Sequence, residues 1–283
     1  MTDNPLVKYY TDPKTYVKLP SGGKYYTEPP EMSVDGEIGV LAMTAVDEMM
    51  FQSPDNLLNG ESLFKVIARC VPAIKNPREI PTPDLDAILV GMRIATYGNE
   101  LETNANCPQC NHENNYSISL PVLLANMTML ESETVIQLNN DITLKVKPFT
   151  VSSSITLALY AVEIGQMQKQ LAGQGEIDEE AAIRAIQTTM NKSSERLVDL
   201  IAQSVLEVQI NEAEGDPIVV NDPRQIREWI EVITVNEYKK IRKQIDNISN
   251  LGIEKSMHAR CTECGHEWNV QIGVDPASFF DMR

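Results

Sequence analysis

The chain has little of what most chemistries on proteins draw upon. It has three histidines in 283 residues, so general acid–base work would fall to carboxylates. It has no glycine-rich phosphate loop and no nucleophile elbow, which removes the commonest nucleotide and acyl-transfer signatures. It has few cations: 24 Lys and Arg against 40 Asp and Glu, a formal charge of −16. Phosphate neutralisation dominates non-specific nucleic-acid affinity, so this balance argues against nucleic acid as a partner. No apolar run approaches the ~20 residues of a membrane span, and the opening Met1-Thr2-Asp3-Asn4-Pro5 lacks a charged-then-apolar leader. A cytoplasmic protein is expected. Five cysteines are too few for a disulfide scaffold in a chain of this length.

What is present is ordinary in bulk, 42% apolar and 23% charged residues, enough for one large domain or two modest ones. Charge is unevenly spread. Residues 1–30 set Lys8, Lys14, Lys18 and Lys24 against Asp3, Asp12 and Glu28, a balance of +1, which leaves −17 on the rest. A basic protein surface suits such a remainder. The same thirty residues read as an extended arm rich in Tyr and Pro. Lys8-Tyr9-Tyr10-Thr11-Asp12-Pro13 returns as Lys24-Tyr25-Tyr26-Thr27-Glu28-Pro29, and the intervening Leu19-Pro20-Ser21-Gly22-Gly23 has the composition of a tight turn. Paired tyrosines suit an arm that docks on a partner, and equally one that packs on its own domain.

Beyond the arm, Ile38 and Val40 read as a short strand, and Thr44 with Asp47 as a weak capping box opening a helix through Met50. A second helix is predicted over about 61–74, with Leu63, Ile67, Cys70 and Val71 on one face and Cys70 as a plain core residue. Thr82-Pro83 starts the clearest helix. Its apolar stripe is Leu85, Ile88, Leu89 and Met92, and Gly98 ends it. Val135–Leu138 and Ile142–Val146 around Asn139-Asn140-Asp141 predict a hairpin. Helices are expected over about 152–171, near Asp178 and Ser193, from Asp222-Pro223 and near Asn236, with a hairpin around 214–217. Carboxylates Glu176, Asp178, Glu179 and Glu180 suit a helix start. The expected fold is α+β, a mainly helical body with short β-hairpins and a split four-cysteine zinc ribbon. Four regions follow: the arm 1–30, a strand-plus-helices region 31–120, a hairpin and helical region 121–254, and 255–283, which completes the ribbon with 101–120.

The chemistry sits in two Cys-x-x-Cys knuckles that align closely. One is Cys107-Pro108-Gln109-Cys110-Asn111-His112-Glu113-Asn114, and the other Cys261-Thr262-Glu263-Cys264-Gly265-His266-Glu267-Trp268. A two-residue spacer lets both thiolates of a pair reach one ion, and thiolate softness selects zinc over calcium or magnesium. Cys107, Cys110, Cys261 and Cys264 are therefore the expected ligands of one structural zinc per chain, with His112 and His266 as possible substitutes for a cysteine. Two separate redox pairs, or four simply buried thiols, are the alternatives. Catalytic zinc needs an open position, which four cysteines deny it. Tyr116 and Val270 stand where a His-Glu-x-x-His metalloprotease would have its second histidine. The deaminase pattern fails too, since Asn106 and Arg260 precede the pairs in place of Pro. The protein is read as no enzyme.

Several of these segments carry a resemblance. Leu19-Pro20-Ser21-Gly22-Gly23, Met43-Thr44-x-x-Asp47-Glu48 and Ser53-Pro54-Asp55-x-Leu57-Leu58-Asn59-Gly60 are one part of it. Asp84-x-Asp86-Ala87-Ile88-Leu89-Val90-x-Met92-Arg93-x-Ala95-Thr96-Tyr97-Gly98, leading into Cys107-x-x-Cys110, is the other. Over about residues 15–120 the chain resembles the baseplate hub and hub-assembly proteins of T-even-type contractile-tailed bacteriophages. The resemblance implies a tail baseplate component or assembly chaperone made in the host cytoplasm, with other hub and tail proteins as partners and no catalytic residues. The competing function is a zinc-ribbon regulator binding nucleic acid or the transcription machinery. Glu100, Glu102 and Glu113 beside the first knuckle, with no Lys or Arg there, disfavour it.

Overall fold

The computed structural model describes residues 12–51, 60–131, 133–173, 195–211, 216–274 and 279–280. Two compact units emerge: residues 1–130 together with 251–283, and residues 131–250.

The first unit is organised around one helix. Strands β1 (Thr15–Lys18) and β2 (Glu37–Val40) pair antiparallel. Helices α1 (Ala45–Phe51) and α2 (Glu61–Cys70) and a short 3-10 turn (Pro77–Glu79) precede α3 (Thr82–Tyr97). In α3, Ala87, Ile88, Leu89, Val90 and Met92 are fully buried, and Asp84, Asp86 and Arg93 are buried with them. A helix apolar around most of its circumference belongs inside a core, not on its surface. Gly91 lies close against the β1–β2 ribbon. A Cβ there would lie 2.6 Å from Val17 Cγ1 and 3.4 Å from Val40 Cγ2. Gly91→Ala gains ~1 kcal/mol of helix propensity against ~1–3 kcal/mol of overpacking. A net loss of up to about 2 kcal/mol is expected in urea denaturation.

Residues 12–30 do not stand away from the body. Val17 and Leu19 are buried, and so is Ser21, at 2% exposure. Ser21 donates to Asp84 from its backbone N–H (2.7 Å) and its hydroxyl (2.5 Å), and the Tyr26 hydroxyl adds a third bond at 2.9 Å. This part of the expected arm packs on its own unit, because the buried carboxylate at the start of α3 draws its hydrogen-bond donors from this loop. Of the first copy of the Tyr-Tyr repeat, residues 8–13, Lys8 to Thr11 lie outside the described residues.

Asp47 also does more than open a helix. It accepts from the Thr44 N–H and hydroxyl, closing the cap of α1, and from Arg69 Nε of α2 at 2.8 Å. Burial alone would raise its pKa, but Arg69 and Thr44 outweigh burial and hold it below the ordinary carboxylate value. Cys70 is fully buried core, and burial pushes its thiol up to about 12. Arg93 donates to the Phe279 carbonyl and lies over the Tyr97 and Phe279 rings, while Phe280 stacks on Phe51 at 5.1 Å. After α3 the chain forms hairpin β3 (Glu100–Asn106) and β4 (Glu113–Ser119), then α4 (Leu120–Ala125).

The second unit is an antiparallel sheet with helices. Strands β5 (Thr134–Gln137), β6 (Ile142–Val146), β7 (Val205–Ile210) and β8 (Ile218–Val220) lie in that order. Helix α5 (Val151–Gly173) and a helix over 195–204, α6, come between β6 and β7. Helices α7 (Pro223–Val232) and α8 (Val235–Ser249) follow β8. Local caps explain two of these starts. The Asp222 side chain accepts the Arg224 N–H, and Thr234 with Glu237 forms a full capping box. Residues 176–180 lie outside the described residues. The chain then returns to the first unit and closes with hairpin β9 (Ser256–Arg260) and β10 (Glu267–Gln271).

The expectation of a mainly helical body is corrected. Helix takes 42% and strand 24% of the described residues, with several antiparallel sheets. The excess strand has a physical origin. β2 and β6 are legible as strands, but β1 (Thr15–Lys18) is four residues long and finds its partner β2 only after the intervening residues 19–36, and the pairing of β6 with β7 spans still more chain.

Candidate metal centre

The two knuckles sit at the tips of β3–β4 and β9–β10, and their turns are built alike. The Cys107 N–H donates to the His112 carbonyl at 2.9 Å, and the Cys261 N–H to the His266 carbonyl at 2.8 Å. The Asn111 N–H returns to Cys107 O at 2.9 Å, and the Gly265 N–H to Cys261 O at 3.1 Å. Asn111 and Gly265 both take the left-handed backbone, φ 58° and 71°. Asn and Gly are the residue types that pay least for that conformation.

Register places Leu101, Thr103, Ala105, Tyr116 and Ile118 on one face of the first hairpin, and Met257, Ala259, Trp268 and Val270 on one face of the second. These faces meet: Tyr116 and Trp268 pack edge to face at 6.3 Å, and the Tyr116 hydroxyl donates to the Arg260 carbonyl at 3.3 Å. The opposite face of the first hairpin carries Glu100, Glu102 and Glu113, all exposed.

Packing the hairpins together brings all four sulfurs within 4.8 Å of one another. Cys107 faces Cys264, and Cys110 faces Cys261, each pair at 3.6 Å. Each hairpin gives one buried cysteine, Cys107 or Cys261, and one exposed, Cys110 or Cys264. Such a group could hold a metal ion. Among the described residues no histidine, Asp or Glu joins it. His266 instead stacks on Trp268 at 6.0 Å, and the exposed His258 lies 3.8 Å from Glu267. The thiols are driven apart in acidity. The backbone N–H of Cys264 leads several donors, including the Glu263 N–H and the Asn114 amide, in pulling Cys261 down to about 6 against desolvation. At Cys110 the His112 N–H also pulls down, yet desolvation and the three neighbouring sulfurs push it up to about 12.

One residue at the centre escaped the sequence reading. Asn114 is buried, and its side chain reaches across to the second knuckle at Thr262 and Cys261. A polar residue at an inward-facing strand position was the available signal.

No curated protein and no solved structure matches the chain. The family model described as T4 bacteriophage base plate protein matches residues 13–281. That span takes in both units and both knuckles, and with it the chain belongs to the T4 bacteriophage base plate protein family.

Proposed function

We propose that this chain is a component of the tail baseplate hub, or a chaperone of hub assembly, and that it works by binding other baseplate proteins while one zinc ion clamps its two hairpins. The family match over residues 13–281 carries the reading. The centre supports the zinc part. Tetrahedral zinc with metal–sulfur bonds near 2.3 Å needs sulfur–sulfur edges of about 3.8 Å; two of the four edges between the hairpins are 3.6 Å, and all four sulfurs lie within 4.8 Å of one another. Four sulfurs fill the coordination of such an ion and leave no place for a reactive water, which favours a structural role over an enzymatic one. The acidic outer face of the first hairpin suits a basic protein surface and disfavours a polyanion.

Assembly in the host cytoplasm followed by residence in the tail gives a direct test. Phage with this gene disabled should accumulate tail precursors without a completed hub, and mass spectrometry of purified wild-type particles should detect the chain. Detection marks a resident component, and absence from particles with the same assembly defect marks a chaperone. Normal particles from the disabled phage would refute both.

A further inference from the structure

The aligned knuckles differ at the seventh residue after the first cysteine, which is Asn114 in one and Trp268 in the other. Trp268 packs against Tyr116 and His266. Asn114 is 2% exposed, and burying an amide costs free energy unless its hydrogen-bonding capacity is met. It is met in full. Asn114 Oδ1 accepts the Thr262 N–H at 2.9 Å and the Thr262 hydroxyl at 3.0 Å. Its Nδ2 donates to the His112 carbonyl at 2.9 Å and to Cys261 Sγ at 3.7 Å. Reversing the amide would set N–H against N–H at Thr262 and oxygen against a carbonyl at His112, so these partners fix its orientation.

The four bonds have a direction. One ties Asn114 to its own turn, and three cross to the other hairpin, where they hold Cys261 and the residue beside it. We propose that Asn114 is the positioning residue of the metal centre: it draws the second knuckle onto the first and sets the Cys261 sulfur, so that four thiolates meet an incoming ion already arranged. The inference rests on the metal reading above and adds to it. Hydrogen bonds to coordinating groups orient ligands and hold metal, and their loss costs 10–100-fold in affinity in other sites.

The test uses the full chain loaded with zinc, and separately with cobalt(II) as a spectroscopic probe of a four-sulfur site. Asn114→Ala should release zinc to a competing chelator roughly 10–100-fold more readily, with altered sulfur-to-cobalt charge-transfer bands. Asn114→Asp keeps an acceptor for Thr262 but loses the donors to Cys261 and His112, and should show the same two changes. Thr262→Val, at an exposed position, removes one of the four bonds and should fall between Asn114→Ala and the wild type, even where Asn114→Ala folds poorly. Asn115→Ala, exposed on the opposite face of β4, should match the wild type. Wild-type affinity and spectrum in Asn114→Ala and Thr262→Val overturn this inference alone. A wild-type chain that takes up neither ion overturns the metal reading and this inference with it.

Discussion

Elemental analysis of the purified chain should return about one zinc per polypeptide, and Cys261→Ser should lose that zinc and much of the protein's stability together. The reason is the length of chain that the centre closes. Cys107 and Cys261 are 154 positions apart, and closing a bare loop of that length costs about 4–5 kcal/mol. Structural zinc in small peptides contributes ~10–16 kcal/mol at neutral pH. The metal term is the larger, so removing one buried ligand should show first as a lower thermal midpoint, measured by circular dichroism. A chelator should produce the same shift in the wild type. Cys70→Ala is the control. It empties a buried site and should lose some stability with zinc content unchanged. A Cys261→Ser variant that melts like its parent would contradict the coupling of metal to fold.

Asp84→Ala should be the most damaging substitution away from the metal, at about 3–5 kcal/mol in urea denaturation. It would strand three donors at once, the Ser21 N–H, the Ser21 hydroxyl and the Tyr26 hydroxyl, and an unpaired buried donor costs ~1–3 kcal/mol. The same carboxylate gives a pH signature. Burial pushes Asp84 up to about 6, against the pull of Ser21 and Tyr26. A folded-state pKa above the unfolded one means that the folded protein holds this proton more tightly. Its contribution is therefore full below about pH 4 and is lost as the pH rises through about 6. Asp47, held low by Arg69 and Thr44, contributes with the opposite sign, losing stability as acid protonates it. Comparison of the wild type with Asp84→Asn isolates the first effect. The variant should lack the decline between pH 4 and 6 and should lose less stability than Asp84→Ala, since its amide oxygen still accepts a hydrogen bond. A wild-type curve parallel to that of Asp84→Asn across this range would refute the assignment.

Features encoded locally were legible in the sequence. The paired cysteines, the left-handed residues after them, the hairpin around Asn139-Asn140-Asp141, and the helix starts at Thr82-Pro83 and Asp222-Pro223 each depend on a few adjacent side chains. What stayed hidden depends on partners far away. Ser21 and Asp84 are 63 positions apart, so the packing of residues 12–30 could not be told from an arm awaiting a partner. β6 meets β7 only after a long helical stretch of chain, and the sequence there shows helical periodicity but not strand pairing. Asn114 read as an ordinary polar residue of a strand because its use becomes visible only when Thr262 lies against it.

The first unit is interrupted: residues 131–250 come between its two segments. During translation the ribosome therefore delivers the first pair of sulfurs about 150 residues before the second. A polypeptide that ends between residues 250 and 261 contains the whole inserted unit yet only half of the four-sulfur group. Closure of the four-sulfur group therefore waits on the second hairpin, whatever part of the chain precedes it.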